Sequence, residues 1–144
     1  MLSKTEITVR GYHIDHFGHV NHARYVELLE EARWRYLEDN SLIEPIHEIG
    51  AFHVVTEISI QYRHAARVGD ILCFETRVTN RSTHSFMINQ KIYLKPSEKL
   101  AVEAIVTNVF INPKGRTKLI DSSILDAWPD LASAEVSDSF RLGI

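Results

Sequence analysis

Asp15, His16, His19, Asn21 and His22 fall within eight residues of chain, inside the stretch Gly11 to Tyr36 that reads GYHIDHFGHVNHARYVELLEEARWRY. The carboxylate has the most chemistry to offer. Asp15 can draw a proton from water or attack an acyl carbon itself. It stands just ahead of a helix start, where free N–H groups and the positive helix end favour a developing oxyanion. The plainer role for an aspartate in such a turn is to bond nearby backbone or to cap a helix. Gly18 lets a backbone or a ligand approach closely. Its amide, with those of His19, Val20, Asn21 and His22, forms a candidate nest for a carbonyl oxygen.

His13, His16, His19 and His22 recur at every third position. That is not the spacing of an H-E-x-x-H helix, and the single cysteine, Cys73, brings no thiolate partner, so no metal is expected. His22 is the member expected to face a pocket, with the others satisfying the turn. Arg63, His64 and Arg67 make a small basic cluster before Gly69-Asp70. Alone it reads as a solvated loop; beside an acyl pocket it would suit phosphates. The chain has no G-x-S-x-G elbow, no phosphate-binding loop and no dinucleotide fingerprint, so neither serine-triad chemistry nor a nucleotide cofactor is expected.

Two kinds of element must position these residues. From Ala23 to Asp39 the apolar residues Tyr25, Leu28, Leu29, Ala32 and Tyr36 follow a helical period, with Asn21 as N-cap. Asn40-Ser41 marks the end of the helix, and Pro45 makes the next segment start differently. Ile7 to Tyr12 reads as a first strand. After residue 50 the period becomes two. Ala51 to Ala66 alternates with Val54, Thr56, Ile58, Ile60 and Tyr62 on one face. Ile71 to Asn80, Phe86 to Lys95 and Ala101 to Ile111 follow, separated by turns rich in Gly, Asp, Ser and Pro. One long helix with an alternating antiparallel sheet predicts an α+β fold in which the sheet wraps the helix. Ile105, Val109 and Cys73 are expected on the outer sheet face, which points to oligomerisation. In the tail, Ile124, Leu125, Trp128 and Leu131 predict a short capping helix that Pro129 ends or kinks.

The totals set bounds. A chain of 144 residues reads as one domain, 1–144, with 120–144 as a C-terminal cap or tail. Its formal net charge of −3 argues against nonspecific nucleic-acid binding. Cys73, inside an apolar run, reads as a small core residue. No apolar run approaches the length of a membrane span, and the N-terminus does not read as a signal peptide, so a cytoplasmic protein is expected.

Arg10-Gly11-Tyr12, Asp15, His19-Val20-Asn21, Ala23-Arg24-Tyr25 and Glu30-Glu31-Ala32-Arg33, in that order and spacing, resemble the N-terminal signature of hotdog-fold thioesterases of the 4-hydroxybenzoyl-CoA thioesterase superfamily, nearest to the bacterial long-chain acyl-CoA thioesterase III type. Tyr62 to Asp70 resembles the family's second block, and the likeness runs from residue 7 to residue 112. It implies a hotdog fold, a long central helix wrapped by a bent antiparallel sheet of about five strands. It implies a homodimer, or a dimer of dimers, with sites at the subunit boundary. Asp15 would be general base or nucleophile. Amides from Val20 through Asn21 and His22 to Ala23 would polarise the thioester carbonyl. Gly18, His19, Val20 and Tyr25 would line the site, an acyl tunnel would run beside the helix, and Arg63, His64 and Arg67 would meet the CoA phosphates. His22 stands where close relatives carry a second asparagine. An imidazole there could orient water, bond the carbonyl or aid the leaving thiolate.

Two readings follow. The first is hydrolysis of acyl-CoA thioesters, of medium- to long-chain fatty acyl groups, without a cofactor. The alternative is an acyl-carrier-protein or aryl-CoA thioesterase, or a hotdog protein that binds acyl thioesters without hydrolysing them. Hotdog dehydratases also share the fold. A carboxylate placed ahead of the helix favours the first.

Overall fold

Five long strands set the frame of the computed structural model, which describes residues 2–137. They are β1 (Ser3–Thr8), β2 (Phe52–Tyr62), β3 (Ile71–Arg81), β4 (Ser85–Lys95) and β5 (Leu100–Ile111). They lie in the order β1-β3-β4-β5-β2, every pairing antiparallel. Two-residue strands extend this sheet: β6 (Thr117–Lys118) pairs with β5, and β7 (Glu135–Val136) runs parallel to β3. The long helix, α1 (His22–Asp39), packs against the sheet. A short α2 (Ile43–Glu48) follows it, and α3 (Ser122–Ala127) and α4 (Pro129–Ser133) close its far end. This is the α+β hotdog arrangement that the periodicity and the resemblance predict.

Four expectations need correction. The first strand is Ser3–Thr8, and Gly11–His13 is a 3₁₀ turn rather than its continuation. The inward positions of β1 include Ser3 and Thr5, both buried, so its inner face carries hydroxyls that a hydropathy pattern misses. Helix α2 runs across Pro45. Proline is tolerated there because first-turn N–H groups have no partner inside the helix. Strand β2 does not keep one face. A bulge at Thr56, between Val55 and Glu57, shifts its register against β5, leaving Val54 exposed while Ile58 and Ile60 pack towards the core. Val109 is buried; among Ile105, Val109 and Cys73, only Ile105 is an exposed residue of the outer face.

The core forms two clusters along α1. Near the helix start, Val20, Tyr25, Leu29 and Ala32 pack with Leu72, Phe74, Ile92 and Val102. Near its end, Tyr36 and Leu37 pack with Phe86, Ile88, Val106, Phe110, Ile124, Trp128 and Leu131. Each large side chain so buried contributes about 1.5–3 kcal/mol. The expected tail helix is present as two pieces, with Pro129 at the first position of α4, where it fits.

Between the clusters sits a buried amide. Gln90 occupies the inward position of β4 between Ile88 and Ile92 and is fully buried. Its Nε2 donates to Leu29 O (3.0 Å) and Thr76 Oγ1 (3.1 Å), and its Oε1 accepts from Arg33 Nη1 (3.0 Å). A polar residue in an otherwise apolar alternation was its signal in the sequence. Satisfying all three bonds offsets the cost of burying the amide and pins the middle of α1 to the sheet.

Candidate active site

Residues 13 to 21 form a small hairpin that delivers Asp15 and the helix start to one place. Asn21 N donates to His13 O (2.9 Å), Ile14 pairs with Val20, and Asp15 N donates to His19 O (2.9 Å). Gly18 closes the tip with a φ of 78°, a conformation that suits glycine. His13 is buried, and its Nδ1 accepts from Arg10 N (2.9 Å), which requires a ring unprotonated at that nitrogen. Burial first, then the charges of Arg24 and Arg10, push the His13 pKa below the ordinary imidazole value.

The second sequence block is tied to this hairpin. Val20 N donates to Ala66 O (2.9 Å), which seats the loop Arg63–Asp70 against it. Tyr62, at the end of β2, donates its hydroxyl to His22 O (3.1 Å) while its ring packs on Tyr25. Structure therefore brings together two blocks that lie about 40 residues apart in sequence.

Asp15 does the plain job and keeps a second capacity. Its Oδ1 accepts from Phe17 N (2.9 Å) and, at 3.4 Å, from His19 N. Its other oxygen has no hydrogen-bond partner among the described residues. The residue is neither buried nor fully exposed.

The amides of the nest divide unequally. Gly18 N donates to Asp15 O (3.0 Å), and Val20 and Asn21 are engaged as above. Asn21 is the N-cap, with its Oδ1 accepting from Ala23 N (2.8 Å). Among the described residues, His22 N is the one amide of the run from Gly18 to Ala23 without a partner. It lies in the first turn of α1, where the helix dipole favours negative charge. Sequence pattern could not single it out, because the partners that occupy its neighbours come from His13 and Ala66. The His22 side chain is exposed and makes no hydrogen bond among the described residues.

The remaining predicted residues sort as follows. Tyr25 is buried, and its hydroxyl makes no well-formed hydrogen bond among the described residues. Burial pushes its pKa up to about 12, although the backbone of Ala66 works against this. Arg63 is paired with Glu103 (2.5 Å) and bonded to Gln61, so its charge is already answered. His64 and Arg67 are exposed, and their side chains are unpaired among the described residues. Exposed Tyr12 and Phe17 rim the hairpin. Among the described residues no three His, Cys, Asp or Glu side chains cluster as metal ligands would. Leu29, Phe74 and Phe86 are packed in the core.

A cavity of about 260 Å³ opens farther along the same helix. Its walls include Arg33, Leu37, Ile46, Phe52, His53 and Asn108. His53 is partly buried, and its desolvation pushes its pKa down, while the nearby Asn108 side chain works the other way.

Comparison with known proteins agrees with this fold. A family model described as the thioesterase-like superfamily matches residues 9–141. The long-chain acyl-CoA thioesterase FadM of Escherichia coli is 37% identical over 116 residues, which is 81% of this chain and 88% of FadM. The acyl-acyl carrier protein thioesterase ATL3 of Arabidopsis thaliana, a chloroplastic protein, is 26% identical, covering 84% of this chain and 64% of its own. The crystal structure of YbaW, a probable thioesterase of Escherichia coli, superposes with a TM-score of 0.83 at 32% identity, over 89% of this chain and 97% of YbaW. On sequence and fold alike, the chain belongs to the thioesterase-like superfamily, and it is a thioester hydrolase of the hotdog fold.

Proposed function

We propose that the chain hydrolyses acyl-CoA thioesters of medium to long acyl chains, with Asp15 as general base and His22 N–H as the leading oxyanion donor. The observation that carries this is that the hairpin and the helix start it leads into hold a carboxylate oxygen and a first-turn amide that both lack partners among the described residues. FadM and ATL3, both named as acyl-thioester hydrolases, are consistent with it.

In the reaction, Asp15 accepts a proton from water as the water oxygen bonds to the thioester carbon. The carbonyl oxygen takes negative charge and is met by His22 N–H at the positive end of α1, a kind of contact worth about 3–4 kcal/mol in comparable sites. The C–S bond then breaks. The sulfur leaves with the electron pair and is protonated, and the free acid and CoA depart. The proton that Asp15 took from water returns to the sulfur, directly or relayed by His22's imidazole, exposed beside the same amide, which leaves both groups as they began. His64 and Arg67, exposed and unpaired among the described residues, would meet the phosphates, while Arg63 would first have to leave Glu103. Asn21 and Ala23 act by fixing the helix start, and Gly18, His19 and Val20 by shaping the hairpin. Tyr25 acts from beneath, as a buried wall.

The proposal includes a homodimer. β2 is an edge strand of the sheet, and Val54, Val55 and Trp34 are exposed around it. A second copy pairing along this edge would cover them.

The test is thiol release from a panel of acyl-CoAs of two to about eighteen carbons plus one aryl-CoA, the longer chains being favoured by about 0.8 kcal/mol per buried methylene. A medium- or long-chain optimum supports the reading. A folded protein that leaves every CoA ester intact but hydrolyses acyl-carrier-protein esters would replace it with the ATL3-like activity.

A further inference from the structure

Arg33 is a half-buried guanidinium with no carboxylate hydrogen-bonded to it among the described residues. Its one hydrogen bond among the described residues is to the neutral Oε1 of Gln90 (3.0 Å). Glu30, one turn earlier, acts on it only through its field, and burial pushes the Arg33 pKa down. Guanidinium has five donors, so most of them are not engaged by the described residues. Gln90, locked by Leu29 O and Thr76 Oγ1, fixes where this fork is held.

The group lines the cavity between α1, α2 and β2. Most of the walls are apolar, Leu37, Ile46 and Phe52 among them, but Glu30, His47, His53 and Asn108 add four further polar groups, and the Glu30 carboxylate favours a hydroxyl over a carboxylate as the group that meets Arg33. At about 260 Å³ the cavity falls below the roughly 300–1,000 Å³ of complete ligand pockets, so it fits part of a ligand. It is also aligned with the candidate active site. Residues His22, Val26, Glu30, Arg33 and Leu37 follow one face of α1 at helical spacing. Arg33 lies eleven residues beyond His22, about 16 Å along the helix axis. An extended chain of single bonds, at a little over 1 Å per bond, spans that distance in about thirteen to fourteen bonds.

We infer that this cavity receives the far end of an acyl group carrying an oxygen function there, a hydroxyl or a carboxylate, and that Arg33 selects it. The inference rests on the thioesterase reading and sharpens its substrate class. A plain methyl terminus would leave the guanidinium facing hydrocarbon. A terminal oxygen would meet it with a charge-assisted hydrogen bond, and a carboxylate would match its fork with two.

The test compares kcat/KM by thiol release for three acyl-CoAs of about fourteen carbons, with a methyl, a hydroxyl or a carboxylate at the far end. Wild type should favour the best oxygenated substrate over the plain one by at least about tenfold, and Arg33→Met should bring the ratio near one. Arg33→Lys, which keeps the charge without the planar fork, should lose the carboxylate preference more than the hydroxyl preference. A merely structural role for Arg33 would lower all three substrates together and leave the ratio standing. The inference is overturned if wild type prefers the plain chain, if the ratio survives in Arg33→Met, or if that variant splits a wild-type dimer into monomers, which would make Arg33 a subunit contact. Failure of wild type to hydrolyse any of the three, or any member of the wider acyl-CoA panel, would instead sink the thioesterase reading.

Discussion

The two ends of α1 are built on opposite plans. At its start the helix is reached by a polar hairpin, and groups able to bond a ligand are left over: the second oxygen of Asp15, the amide and imidazole of His22, and the side chains of His64 and Arg67. At its end the groups answer one another. Tyr36 donates to Asp130 and accepts from Trp128 Nε1 (3.1 Å), Arg81 Nε donates to Leu131 O (2.8 Å), and Trp128 sits fully buried among His53, Phe86 and Phe110. One end is stabilised by packing, and the other keeps hydrogen-bonding capacity for chemistry. The same helix can do both because Gln90 and Arg33 tie its middle to the sheet, so order at the closed end is carried to the open one.

If that division is right, damage at the closed end should cost stability and damage at the open end should cost turnover. The largest expected loss of stability is from Trp128→Ala, about 3–5 kcal/mol by denaturant unfolding, for a large buried aromatic truncated to a methyl. With a short acyl-CoA that does not reach the cavity walled by His53, the turnover of the folded fraction should stay within about twofold of wild type, because the reacting groups are remote. A large fall in kcat for the folded variant would join the two ends into one functional unit.

Asn21→Ala sits on the boundary and should show both effects at smaller size. Loss of the cap costs about 1 kcal/mol, and turnover should fall by about tenfold as the first-turn peptides lose their fixed geometry. Asn21→Ser, which retains a capping oxygen, should recover the stability. Recovery of stability without any recovery of turnover would give the amide itself a chemical role.

The smallest effect is a pH dependence. His53 at the closed end and His13 at the open end both have pKa values depressed in the folded state. The unfolded chain therefore binds more protons in this window, and stability rises with pH there. Their contribution is complete above the unfolded imidazole value of about 6.5 and is lost as pH falls from there towards the folded values. Thermal unfolding should show a falling midpoint on the acid side of that value. His53→Leu should flatten the slope more than His13→Gln does, since the His53 ring is enclosed by aromatic side chains. The reverse order would place the acid-sensitive element in the hairpin.

Much of this was legible in the sequence, and for identifiable reasons. Helix α1 announces itself through Tyr25, Leu28, Leu29, Ala32 and Tyr36, and β3, β4 and β5 through alternation, since those elements bury apolar faces. β1 begins earlier than expected because Ser3 and Thr5 fill inward positions with hydroxyls. α2 is hidden by Pro45, whose first-turn position the sequence does not reveal. The turn around Asp15 could be recognised from its motif, but the division of labour among its amides could not. That division depends on Ala66, fixed by a loop far along the chain, and on where the 3₁₀ turn leaves His13. Arg33 was visible as part of Glu30-Glu31-Ala32-Arg33, yet only the placement of Gln90 across the sheet gives it a direction.

The central claim is that Asp15 belongs to the chemistry rather than to the turn alone. Asp15→Asn is the variant to make, because its side-chain oxygen can still accept from Phe17 N and His19 N while the base is removed. Thiol release and thermal unfolding should be measured on the same preparation, using the best acyl-CoA of the panel. The account predicts a fall in kcat of at least about 10²-fold with the fold intact. A folded Asp15→Asn protein that turns over at the wild-type rate would contradict it and return Asp15 to the turn.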